Sequence, residues 1–140
     1  MNAMITAATP SASAAMRTLA AAGFLLALAT ALGAFGTHAL QPVLPPARFA
    51  VFETGVSYQF VHALGLLGIG VLRRDHDAGS LRWAARLFLI GMLFFCGSLY
   101  SIALGGPKWL GMVAPIGGTA FMAAWLVFGI AAWRSKLSVS

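Results

Sequence analysis

Apolar residues fall in four long runs, Thr18–Leu40, Phe49–Leu72, Trp83–Leu104 and Trp109–Trp133, with short polar gaps between them. Each run is about 22–25 residues, or roughly 33–37 Å as a helix, enough to cross a hydrocarbon core of about 30 Å. None carries the long polar face that a soluble helix of this length presents to water. The pattern predicts an all-α polytopic integral membrane protein with four antiparallel transmembrane helices, at about 18–40, 47–72, 82–104 and 109–133, in one compact bundle over residues 17–136. Residues 1–16, rich in Ala, Ser and Thr and without a charged side chain, are expected to be a disordered extension, and residues 137–140 a short tail.

The gaps have turn chemistry. Gln41–Arg48 holds three prolines, which forbid a continuous helix between the first two runs, and Pro46 suits the first turn of the second helix. Gly105–Lys108 is short enough for a tight helix–helix turn, and Ser80 is placed to cap the third helix. A cleaved signal peptide, with Leu19–Leu28 as its apolar region and Ala29-Thr30-Ala31 as its cleavage site, is the competing reading of the first run. Apolar residues continue beyond that site to Leu40, which favours a retained anchor. LGAFGTHAL before the first gap and CGSLYSIAL before the third share a short pattern, a weak hint of a duplicated hairpin.

Composition sharpens the picture. Of 140 residues, 60% are apolar and 9% charged, and the net charge is +6. The basic residues sit at the span ends, so the charge sets topology and meets anionic headgroups and is no nucleic-acid footprint. Arg17, Arg73, Arg74, Arg82, Arg86, Arg134 and Lys136 share one side of a four-span topology, and only Arg48 and Lys108 lie on the other. The positive-inside rule then puts both termini in the cytoplasm. The single cysteine, Cys96, excludes a disulfide framework within the chain, and no Cys/His metal spacing exists.

Polar groups inside the spans are costly in lipid and should face the bundle interior. The candidates for a ligand pocket or polar network are His38, Glu53, Tyr58, Gln59, His62, Ser98, Tyr100 and Ser101. On the second helix, Gly55, Tyr58, His62 and Gly65 share one stripe, Gln59 borders it, and Glu53 lies nearly opposite His62. Ala27, Ala31, Ala34 and His38 make a stripe on the first helix, and Gly91, Ser98, Ser101 and Gly105 another on the third. Packing through these stripes would bring His38, Tyr58, Gln59, Ser98 and Ser101 toward one interior, in the half of the membrane away from the cytoplasm. The plainer reading is that such groups bond a neighbouring helix, contributing about 0.6–2 kcal/mol each. No nucleophile–base pair, GxSxG elbow, phosphate loop or pair of carboxylates is present, so no catalytic residue is assigned. His38 is near a helix end and His62 roughly 18 Å along its helix, a mismatch in depth that argues against a haem between them. No cofactor is expected.

GAFGTHAL at Gly33–Leu40, FETGVSYQFVHALGLL at Phe52–Leu67, GSLY at Gly97–Tyr100 and APIGG at Ala114–Gly118 occur in that order. The set resembles the family catalogued as domain of unknown function 423, whose eukaryotic relatives are called transmembrane protein 256, over nearly everything from Arg17 onward. Thr37 stands where that family typically has alanine before its first histidine. The resemblance implies a four-helix protein of the bacterial inner membrane, and its motifs coincide with the polar cluster without assigning it an activity. The leading expectation is a non-enzymatic protein whose polar pocket binds a lipid, a quinone-like molecule or a partner helix. Its partners would be membrane lipids, further copies of itself or another membrane protein. The alternative is an oligomeric transporter or proton-coupled protein using His62. For the topology, a C-terminal reporter that fluoresces only in the cytoplasm is expected to be bright; a dark reporter with full-length protein in the membrane would reverse the orientation.

Overall fold

A computed structural model of the protein describes residues 10–75 and 78–137. Helix α1 is Pro10–Phe35 and runs on through a π-helical turn, Gly36–Leu40; α2 is Pro46–Leu72. Helix α3, Gly79–Gly91, passes through a second π turn, Met92–Cys96, into α4, Gly97–Ala103. A 3-10 turn, Lys108–Met112, leads into α5, Ala114–Leu137. Four stretches are long and apolar enough to cross a membrane: Ala12–Leu40, Pro46–Leu72, Gly79–Ala103 and Lys108–Arg134. The four expected spans are therefore present. Residues 10–16, expected to be disordered, instead form the first turns of α1, with Ala15 buried. Residues 1–9 of that expected extension, and 138–140 of the tail, lie outside the described residues.

Neighbouring spans run in opposite directions. Leu19 packs on Gly70, Leu25 is bonded by Gln59, and Gly36 meets Phe52, so positions rise along α1 as they fall along α2. Gly65 meets Phe88 and Gly55 meets Tyr100, which reverses α2 against the third span; Gly91 meets Phe121 and Gly117 meets Phe95, which reverses the third span against α5. Helix α2 is the hub: half of its most apolar stretch is buried, against 17% in α1. Its glycines permit this, since Gly55, Gly65 and Gly70 each lie under a side chain of a different neighbour.

Two apolar clusters stack along the bundle. The larger gathers Leu66, Ile69, Phe88, Met92 and Phe121, and the smaller gathers Leu40, Phe49, Phe52, Val56 and Ala103. Tyr100 packs against both. At the smaller cluster's end, Gly105 takes φ +97°, and Gly106 and Gly105 donate to the carbonyls of Ser101 and Ile102 at 2.7 and 3.1 Å. This is a Schellman ending, with Pro107 barring further helix. It leaves the Ala103 carbonyl to accept from Arg48 Nε at 2.8 Å, a cation on a helix C-terminus. Helix α2 starts as its prolines dictate, with Pro45 extended before it and Pro46 in the first turn.

Three expectations about faces and caps are corrected. Ala27, Ala31, Ala34 and His38 are exposed; α1 buries Ala15, Ala22, Ala29 and Gly36 instead, a seven-residue recurrence that keeps one seam on α2. Of the third span's stripe, Gly91 and Ser98 are buried but Ser101 and Gly105 are exposed. The π turn adds a residue, so Cys96, Tyr100 and Ala103 continue the line of Phe88 and Met92 and Ser101 turns outward. Ser80 does not cap α3, which starts at Gly79 after an extended Ala78 with no side-chain cap.

A close approach of two backbones gives a test. A Cβ on Gly117 would collide with the Phe95 backbone nitrogen, whereas one on Gly118 would meet only the Phe95 ring at 3.7 Å. Gly117→Ala is expected to destabilise the bundle by about 1–3 kcal/mol in detergent unfolding, while Gly118→Ala leaves stability unchanged or raises it. Equal effects would show that the contact between the second π turn and α5 is looser than this.

Candidate functional site

Midway along α2 the chain presents Gln59, only 3% exposed, to two helices at once. Its Nε2 donates to the Leu25 carbonyl on α1 at 2.9 Å, and its Oε1 accepts from the Tyr100 hydroxyl on α4 at 2.8 Å. A carbonyl can only accept, so this is the sole orientation of the amide that satisfies both bonds. The Tyr100 ring leans on Phe52, 5.2 Å between centroids, and covers Gly55.

His62 is three residues on, about 60° round the helix from Gln59. That rotation hands it to different neighbours. Its ring stacks on Phe121 of α5 at 3.5 Å and 15°, with Tyr58, Phe88 and Trp125 at 5.5, 5.8 and 6.2 Å. Gly91 makes the stack fit, because a side chain there would collide with the Phe121 ring. His62 Nδ1 lies 2.6 Å from the Tyr58 carbonyl, so Nδ1 carries the hydrogen and Nε2 is the atom left for another partner. Beside this box is a groove of about 340 Å³, lined by Ser57, Tyr58, Val61 and His62. Tyr58 and Val61 are exposed, so the groove opens on the outer face of the spans, where lipid chains would lie.

The other candidates lie elsewhere, and the single polar interior expected from the stripes is not formed. His38 is exposed in the first π turn. Glu53 is exposed and lines a separate cleft of about 120 Å³ with Gly36, Thr37 and Phe52. Neither is at the mouth of the Tyr58–His62 groove. Ser98 is buried but its hydroxyl returns to the Phe94 carbonyl of its own helix, and Ser101 faces outward. Sequence reasoning did not anticipate the rings around His62, which come from three helices, nor Arg73, buried with Nη1 donating to Thr18 Oγ1 at 2.8 Å. Among the described residues no group of His, Cys, Asp and Glu is arranged to hold a metal ion.

The amide clasp yields a double-mutant cycle. Tyr100→Phe is expected to cost about 0.5–1 kcal/mol of stability and Gln59→Leu about 1–2 kcal/mol. The double variant should cost clearly less than their sum, because the two share one bond. Strict additivity in detergent unfolding would dissolve the clasp.

Comparison with known proteins agrees with the fold. The family model described as protein of unknown function (DUF423) matches residues 32–118. A UPF0382 membrane protein of Staphylococcus haemolyticus is 41% identical, covering 73% of this chain and 83% of that protein. The UPF0382 membrane protein YwdK of Bacillus subtilis is 39% identical over 75% of this chain and 86% of its own. The UPF0382 inner membrane protein YgdD of Escherichia coli K12 is 33% identical over 84% and 87%. No solved structure matches. Four helices long and apolar enough to cross a membrane, the residues matched by the family model and these relatives, themselves named as membrane proteins, together show that the chain belongs to the DUF423 family.

Proposed function

We propose that the protein is a non-enzymatic component of the inner membrane that binds one small, ring-bearing apolar molecule in the Tyr58–His62 groove. The observation that carries this is His62 itself: an imidazole clamped in a stack of aromatic rings, its Nδ1 spent on the Tyr58 carbonyl, and lining a groove that opens toward lipid. A flat ring with a hydrogen-bonding oxygen, as in a quinone-like molecule, suits such a box. It can stack on Tyr58 and bond His62 Nε2 without bringing water.

Depth favours this occupant over a phospholipid. His62 is roughly 24 Å along α2 from Pro46 and roughly 15 Å from Leu72, at helical rise. A phospholipid headgroup stays at the interface, whereas a quinone-like ring travels near the middle of the bilayer. The orientation with both termini in the cytoplasm belongs to the same proposal, supported by the excess of basic residues at that end.

The test is native mass spectrometry of the gently extracted protein with solvent extraction of the same sample. A stoichiometric apolar molecule is expected on the wild type. His62→Ala and Tyr58→Ala should each weaken its retention by about tenfold, the worth of one hydrogen bond or ring contact. A bare protein, or a molecule that His62→Ala still retains, would overturn the reading. Ion flux in liposomes that His62→Ala abolishes would move it to the transporter alternative.

A further inference from the structure

The fold leaves two polar side chains of the spans without partners. His38 on the first π turn and Glu53 on α2 are both exposed, and neither is hydrogen-bonded or ion-paired to another described residue. Thr37 and Thr54, exposed beside them, return their hydroxyls to their own helices, to the Gly33 and Ala50 carbonyls at 3.1 and 2.9 Å. Glu53 lies roughly 10 Å along α2 from Pro46 at helical rise. A helix of about 40 Å projects roughly 5 Å beyond each side of a core of about 30 Å, so Glu53 stands inside the hydrocarbon edge. An ionisable group at that depth normally faces the bundle interior or pairs with another group.

The two groups share a depth and flank one face. Gly36 packs on the Phe52 ring, which sets His38 and Glu53 within about 5 Å of each other along the spans. Thr37 lines the same cleft as Glu53, and His38 is about a quarter turn further round the helix, outside that cleft. Thr37 therefore stands between them, with Glu53 on the α2 side and His38 on the far side. The exposed face below Thr37 carries small side chains. Gly23, Ala27, Thr30, Ala34 and Thr37 recur at alternate spacings of four and three and are all exposed, while the exposed Phe24, Leu28 and Phe35 fall on another flank. A Cβ on Gly23 would meet nothing within 4 Å, so its bareness serves no contact inside the protein. Helix α1 is also the least covered span, with 17% of its most apolar stretch buried. Small residues permit a close approach. The polar pair identifies what approaches.

We propose that a second copy of the chain docks on this face, with His38 of each copy bonding Glu53 of the other. Copies inserted with one topology are related by an axis along the spans, so a side chain can meet only groups at its own depth. A two-fold rotation about that axis exchanges the two flanks, and the His38 flank of one copy falls on the Glu53 flank of the other. The bond then forms twice, an imidazole N–H donating to a carboxylate each time, with the α1 seams crossing between. Any other occupant would have to bring a donor to Glu53 and an acceptor to His38 at this one depth, and a second copy brings both. The interface does not depend on what occupies the Tyr58–His62 groove.

The test places the full-length protein in phosphatidylethanolamine–phosphatidylglycerol liposomes and follows energy transfer between differently labelled copies as lipid is added. A dimer is expected. Ala34→Leu, which fills the seam, should weaken it by about tenfold or more. His38→Glu and Glu53→His, each of which sets like groups against one another, should each weaken it by about tenfold. The double exchange His38→Glu/Glu53→His should return the affinity to within about threefold of the wild type, which a damaged fold would not allow. Gly129→Leu, at an exposed position on α5 with open space around it, should change nothing. All of these positions are exposed, so the variants keep the bundle's interior. Transfer that falls to the level of random encounters at every dilution would overturn the proposal. So would a dimer that Ala34→Leu and both single exchanges leave intact, or a double exchange that restores nothing. In cells, Thr30→Cys should link two copies on oxidation, against a wild type whose single cysteine, Cys96, is buried. Linkage only to a different membrane protein would overturn the second copy as occupant.

Discussion

The carboxamide of Gln59 ties three spans together, and the arrangement of the bundle depends on it. Between helices in lipid there is little hydrophobic drive, because the surrounding chains are as apolar as the side chains. What selects one arrangement is close packing plus polar groups that have nowhere else to go. Gln59 reaches α1 through the Leu25 carbonyl and α4 through Tyr100. It lies between the two apolar clusters, at the level where Tyr100 joins them. With that level set, the glycines of α2 let the neighbours close in above and below it.

The same rotation of α2 that gives Gln59 to α1 and α4 gives His62 to α3 and α5. The helix therefore separates a structural polar group from a candidate binding group by a single turn. Gln59 is satisfied twice over by the protein. His62 is satisfied once, is stacked by Phe121, and borders a groove. Polar residues of similar cost in lipid thus carry different meanings, and the difference lies in which partners the neighbouring helices supply.

Much of this was legible in the residues. Runs too long and apolar for a soluble helix announce the spans, and Pro45-Pro46 marks the start of α2 because proline tolerates only the first turn. Of the stripe Gly55, Tyr58, His62 and Gly65, all but Tyr58 are buried, and Glu53, nearly opposite His62, faces out. The inward face of α1 was not legible, because alanine occurs on every side of that helix and its spacing selects no seam. Nor was the outward turn of Ser101, since a helix read at uniform pitch omits the residue that the π turn inserts. The box around His62 needs Phe88, Phe121 and Trp125 from other helices, and a chain with many aromatic residues gives no sign of which will meet.

The π turn at Met92–Cys96 also bears on how such a protein changes over generations. One residue is the smallest unit that a gene can gain or lose in frame, and a helix converts it into about 100° of rotation. In a uniform α-helix that unit would be a defect spread over the whole span. Here it is absorbed within five residues, upstream of Tyr100, so α3 can keep its fit to α5 while α4 keeps its own to α2. The span behaves as two independently aimed segments, each free to drift toward its own partner without carrying the other round with it.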